Sequence, residues 1–178
     1  MVLISIQNLT MKKLLFLIII LIFTGKIFSQ KKLNIPTTFP TEYGTFTFPL
    51  GSKIILELKE NGNKYEYRVL SMEPYKEYYP LSKEKDIFSK DIKENTIEVF
   101  FTGAYYNEGK EDKDWKSLLS LKSNVKTSLI YKADIKYYFK DEFENTSISG
   151  VFPKAKMNEI WGHKIDFITL YDFEKLKR

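Results

Sequence analysis

The stretch VKTSLIYKADIKYYF, residues 125–139, decides the fold. Its odd positions, Val125, Thr127, Leu129, Tyr131, Ala133, Ile135, Tyr137 and Phe139, are apolar, aromatic or small. Its even positions, Lys126, Ser128, Lys132, Asp134 and Lys136, are polar, with Ile130 and Tyr138 as exceptions. Side chains on an extended backbone alternate between two faces, so the pattern predicts a strand with one buried face. At about 3.3 Å per residue the stretch would reach about 45–50 Å. Strands commonly stop after about five or six residues, so this one is expected to bend or to serve two sheets of an antiparallel β-domain.

The same period recurs on both sides of it. Phe46, Phe48 and Leu50 alternate with Thr45, Thr47 and Pro49. Ile54, Leu56 and Leu58 lead into Asn61-Gly62, and Tyr65, Tyr67 and Val69 follow. An Asn-Gly pair suits a two-residue hairpin turn, because both positions need positive φ. That register sets Leu58 against Tyr65 and places Glu57 opposite Glu66, an unfavourable pair that a bulge would relieve. Thr96 to Tyr106 brings Ile97, Val99, Phe101, Gly103 and Tyr105 to one side, with Gly103 allowing a bend or a close backbone approach. Ile165 to Phe173 alternates again. Between strands, Ser82 is positioned to cap a short helix through Phe88, and Met157 to Trp161 fits a helical turn. Trp115, Leu118, Leu119 and Leu121 fit a helical turn or a short strand equally. The expected fold is mainly β: an antiparallel sandwich or small barrel of about 7–8 strands with one or two short helices.

The N-terminus carries a different signal. Met11-Lys12-Lys13 precedes an unbroken apolar run from Leu14 to Phe23, and Ile27-Phe28-Ser29 before Gln30 offers a cleavage site. A short basic start, an apolar run of this length and a small residue before the cut form a secretory signal of bacterial type. The expected organisation is a signal peptide over residues 1–29 with Met11 as an alternative start, an extended lead-in over 30–42, a single β-domain over 43–174 and a polar tail over 175–178. The run falls short of the ~20 apolar residues of a membrane span, so no transmembrane helix is expected after cleavage. The processed chain is expected in the periplasm, at the cell surface or outside the cell.

Composition narrows the chemistry. The net charge is +5, but Lys12, Lys13 and Lys26 leave with the signal and no acid does. Arginine occurs only at Arg68 and Arg178, and bidentate phosphate or base recognition usually relies on arginine, so no nucleic-acid partner is expected. There is no cysteine, which excludes disulfides, thiol catalysis, zinc–thiolate sites and a lipidated N-terminal cysteine. Aromatic residues make up 16% of the chain, and their large buried area must supply the stability that disulfides give other exported domains.

No catalytic set is legible. His163 is the only histidine and reads as a loop residue, without the spaced ligands of a metal site or a nucleophile motif. Glu108 to Asp114 lacks the ligand spacing of a calcium loop and reads as a solvated loop. Glu98, Asp134, Glu159 and Asp166 offer carboxylates, yet nothing in their spacing selects a pair. Lys126, Lys132, Lys136 and Lys140 share the polar face of the long stretch and read as a solvated face. The doublets Tyr78-Tyr79, Tyr105-Tyr106 and Tyr137-Tyr138 are more telling: neighbours on a strand point to opposite faces, so each of the latter two should put one ring in the core and one outside. Tyr106 and Tyr138 are therefore expected outside, where with Trp115 or Trp161 they can form an amphipathic ligand platform. The function expected is an exported non-catalytic β-domain of the bacterial cell envelope that binds a small apolar molecule or a glycan. The alternative is an interaction or inhibitor module that docks an envelope protein. No cofactor is expected, and no enzyme activity is assigned.

Overall fold

The computed structural model describes residues 41–177. The signal peptide expected over residues 1–29 and nearly all of the lead-in lie outside the described residues. Among the described residues, strands account for 56% and helical residues for 4%, so the fold is mainly β, as the two-residue period requires. The strands are β1 (Phe46–Pro49), β2 (Ser52–Asn61), β3 (Lys64–Pro74), β4 (Tyr79–Pro80), β5 (Thr96–Tyr105), β6 (Trp115–Ser123), β7 (Leu129–Tyr137), β8 (Glu144–Thr146), β9 (Lys156–Trp161) and β10 (Ile165–Lys175). They form one sheet in the order β8-β7-β10-β3-β2-β5-β6-β9, with β1 added to β10 and β4 to β5. All ladders are antiparallel except the short β4–β5 pair.

The sheet curls into a half-barrel. Its two ends, β8 and β9, are tied by side chains: Trp161 Nε1 donates to Thr146 Oγ1 at 3.0 Å, and Ser149 N donates to Glu159 Oε1 at 2.6 Å. The segment after β8 adds single bridges from Val151 to Leu129 and from Pro153 to Ser123. Gly150 makes the first of these possible, since a Cβ there would stand 2.7 Å from the Leu129 carbonyl oxygen. The interior is filled by one cluster that includes Leu56, Tyr67, Val99, Leu121, Ile135 and Ile168. Each such side chain withdrawn from water stabilises the fold by about 1.5–3 kcal/mol.

Between β3 and β5 the chain crosses the outer face of β5, which is why β5 is buried on both sides. Phe100 there packs against Tyr75 and Phe88, with ring centroids at 4.9 and 5.3 Å. The fully buried Glu98 carboxylate accepts from the Ser89 amide and hydroxyl at 2.8 and 2.9 Å and pairs with Lys53 at 3.0 Å. A buried charge is tolerated when its lone pairs are met in this way.

Several expectations are corrected in detail. The long stretch neither bends across two sheets nor stays whole. β6 ends at Ser123, residues 124–128 leave the ladder, and β7 starts at Leu129. Val125 is buried all the same, so its apolar face belongs to the core without belonging to a strand. The β2–β3 hairpin turns one residue later than Asn61-Gly62 implies, with Asn61 opposite Lys64. Gly62 carries the positive φ of 64° at the first central position, as a II′-type turn requires. The shift sets Glu57 opposite Arg68, with an ion pair at 2.5 Å, and removes the Glu57–Glu66 conflict. Ser82 to Phe88 is not helical; its apolar residues cover β5 and its neighbours instead. Met157 to Trp161 is strand, because the β6 edge takes it as a ladder partner. The short helices are two 3-10 turns, Asn107–Gly109 and Asp112–Asp114. Three of the four lysines of the long stretch are paired, and they do not share one strand face: Lys132 on β7 with Asp172 at 2.8 Å, Lys126 before β7 with Glu94 at 2.7 Å and Lys140 after it with Glu144 at 2.5 Å.

Candidate functional site

At one end of the half-barrel, β5, β7 and β9 finish while β6 and β10 begin. Their ends surround a cleft of about 480 Å³ walled by Tyr78, Trp115 and Tyr138. The turn between β9 and β10 contributes His163 and Lys164, and the loop before β6 contributes Asp112. Two recesses of similar size lie at the hairpin end of β2 and β3 and share Tyr43. There the Tyr43 ring is already covered by Lys59 and Arg68, at 5.4 and 5.6 Å from its centroid. Among the described residues, the rings of the cleft at the β6 end have no lysine or arginine over them.

Local chemistry holds each ring in place. Tyr78 lies on the strap that crosses β5, and Thr102 Oγ1 donates to the Glu77 carbonyl oxygen at 2.8 Å. Gly103 then leaves room for the ring, because a Cβ there would stand 2.5 Å from Tyr78 Cδ1. Nearby, a hydrogen bond from Lys85 holds the Glu77 carboxyl below its ordinary range, while burial and then the Glu77 charge push the Tyr75 hydroxyl up. Trp115 is framed by the loop 107–114. Asn107, Glu108 and Gly109 all take positive φ, at 46°, 62° and 66°. The buried Asp114 carboxylate stabilises this turn by accepting from Asn107 Nδ2 at 3.2 Å and Glu111 N at 3.1 Å. A Cβ at Gly109 would stand 2.6 Å from the Trp115 ring, so the loop lies directly on the indole.

The rings meet edge to face. Tyr78 and Trp115 have centroids 5.1 Å apart and planes at 76°, and Tyr105 supports Trp115 at 5.7 Å. On the opposite side His163 sets its edge against Tyr137 and Phe139 at 6.1 and 6.0 Å. The buried Ser117 hydroxyl beside it is engaged, donating to the His163 carbonyl oxygen at 3.1 Å and accepting from Ile165 N at 2.9 Å. Lys164 pairs with Asp166 at 3.0 Å, and Lys116 Nζ donates to the carbonyl oxygens of Lys113 and Trp115. Among the described residues the Asp112 carboxylate has no hydrogen-bond or ion-pair partner, and no group of three or more His, Asp or Glu is placed to hold a metal ion. Such an arrangement can hold an apolar or cationic face against rings. It does not present an activated nucleophile.

Of the four residues expected to form a platform, the structure brings Trp115 and Tyr138 into one cleft. Tyr106 stands outside the lining, at the start of the loop, where its amide donates to the Asp114 carbonyl oxygen at 3.0 Å. Trp161 turns inward against the core and spends its N–H on Thr146. In the two doublets expected to split, the outer rings Tyr106 and Tyr138 are exposed while Tyr105 and Tyr137 are half-buried; Tyr78-Tyr79, in the irregular segment, splits more sharply, at 58% and 4%. Tyr78, His163 and Asp112 join the site unannounced by the sequence pattern. The one hint was Gly103, whose missing side chain marks a close approach. No protein-family model matches the chain, and neither a curated protein nor a solved structure does so.

Proposed function

We propose that the protein is an exported, non-catalytic β-domain of the cell envelope that binds a small molecule or a glycan in the cleft of Tyr78, Trp115 and Tyr138. The observation that carries this reading is three partly exposed rings lining one cleft at the end of a half-barrel whose interior is filled. A filled interior favours a ligand at the rim over one inside. No helix among the described residues is long and apolar enough to cross a membrane, in keeping with a domain that acts beside one. Titration of tryptophan fluorescence with a panel of neutral and charged oligosaccharides and small amphiphiles tests the reading. At least one member is expected to bind, and Trp115→Ala or Tyr138→Ala to weaken it about tenfold, the size of one aromatic contact. Tyr106→Ala is expected to leave binding unchanged. Binding that survives the Trp115→Ala, Tyr138→Ala double variant would place the site elsewhere.

One observation supports the second reading, an interaction or inhibitor module. The hairpin joining β7 to β8 exposes Tyr138, Phe139 and Phe143 on a single tip. Exposed aromatic anchors are what protein interfaces enrich. Retention of an envelope protein that depends on Phe139 and Phe143, but not on Trp115, would favour this reading.

A further inference from the structure

Resting on the reading of the cleft as a ligand site, we propose that its ligand carries an organic ammonium group, quaternary or N-methylated. Lys53 stands over Phe100 at 5.5 Å, Lys122 over Phe88 at 5.8 Å, Lys140 over Tyr137 at 5.4 Å and Lys156 over Tyr79 at 4.8 Å. These four rings are buried or half-buried, and the face each turns outward attracts a cation of the chain itself. Among the described residues Tyr78, Trp115 and Tyr138 have no such cap; Tyr106, Phe139, Phe143 and Phe152 lack one as well, but only the first three line one cleft.

The geometry fits the same chemistry. Tyr78 and Trp115 meet at 76°, two walls of a corner, and Tyr138 adds a third wall to the cleft. Asp112 adds a carboxylate without a partner among the described residues. Rings on several sides and one carboxylate are the elements of a quaternary-ammonium cage. The two lysines of the lining are directed elsewhere, Lys164 to Asp166 and Lys116 to the carbonyl oxygens of Lys113 and Trp115.

The test uses the full exported chain and calorimetric titration with choline chloride, its neutral carbon isostere 3,3-dimethylbutan-1-ol, sodium glucuronate and a neutral oligosaccharide panel. Choline is expected to bind about tenfold or more tighter than the isostere. Asp112→Asn, an exposed change that leaves the fold intact, is expected to weaken choline about five- to tenfold and leave the isostere unaffected. Trp115→Ala is expected to remove both. Phosphatidylcholine vesicles separate the sources of the cation: co-sedimentation lost in Trp115→Ala identifies a lipid headgroup, and choline binding without it identifies a free cation. Equal affinity for choline and the isostere, no effect of Asp112→Asn, or preference for glucuronate overturns the inference. Binding of a neutral oligosaccharide at Trp115 without choline overturns the ammonium assignment and leaves the cleft reading standing. Silence of every ligand overturns both.

Discussion

Gly103 shows how one missing side chain shapes the cleft. It lies within β5, where a glycine ordinarily weakens a strand, yet it leaves the space that the Tyr78 ring occupies. Gly103→Ala would drive a methyl group to 2.5 Å from that ring and force it away. The ring is exposed enough to swing out, so the variant is expected to lose only about 1 kcal/mol of stability, at the low end of overpacking costs. Ligand affinity is expected to fall more than stability does, with a changed Trp115 emission because Tyr78 no longer touches the indole. Thermal melting and ligand titration on the same sample check this; unchanged affinity would show that Tyr78 is not a wall of the site.

At the scale of elements, β10 shows why strict alternation misleads. Its core residues are Ile165, Ile168, Leu170 and Phe173, at uneven spacing. Two register shifts in its pairing with β7, between Ile165 and Phe167 and between Tyr171 and Glu174, reset which face points inward. Asp172, at the second shift, has φ of 50°. A β-branched side chain is strained there and glycine is not. Asp172→Val is therefore expected to destabilise by about 1–2 kcal/mol, whereas Asp172→Gly should stay near neutral, since an exposed ion pair such as that with Lys132 contributes under about 1 kcal/mol. Urea midpoints that fall equally for the two variants would rule out the backbone as the cause. The sheet ends show a related economy: β9 points Glu159 inward at its edge, a charge that discourages pairing with a foreign strand.

On the scale of the whole molecule, a core rich in tyrosine ties stability to alkaline pH. Burial pushes the Tyr67 hydroxyl from its ordinary 10.0 up to about 12, partly offset by the hydrogen bond it accepts from the Phe46 amide. Tyr131, buried and near the Glu159 charge, is raised as well. Both stay protonated in the folded chain while the unfolded chain ionises them above pH 10. Their contribution is thus fully present below pH 10 and is lost as the pH climbs through about 12, with about 2–3 kcal/mol from Tyr67. Cooperative unfolding is expected inside that window, with tyrosinate absorbance rising in step with loss of near-ultraviolet ellipticity. Ellipticity that persists beyond pH 12 would contradict it.

The sequence by itself determined the β class, most strand positions and the outward face of Tyr106 and Tyr138, because a two-residue period is local and survives in any β architecture. It also named Trp115 and Tyr138, two of the residues that line the cleft; for Tyr138 the signal was a ring on the outward face of a strand. Only the tertiary structure decided the hairpin register, the bulges of β10 and the inward turn of Trp161, because these depend on partners distant in the chain. Tyr78, Asp112 and His163 come from three irregular segments without periodicity, and the curl of the sheet alone draws them to one rim. That is why the cleft emerges from the fold and from no motif.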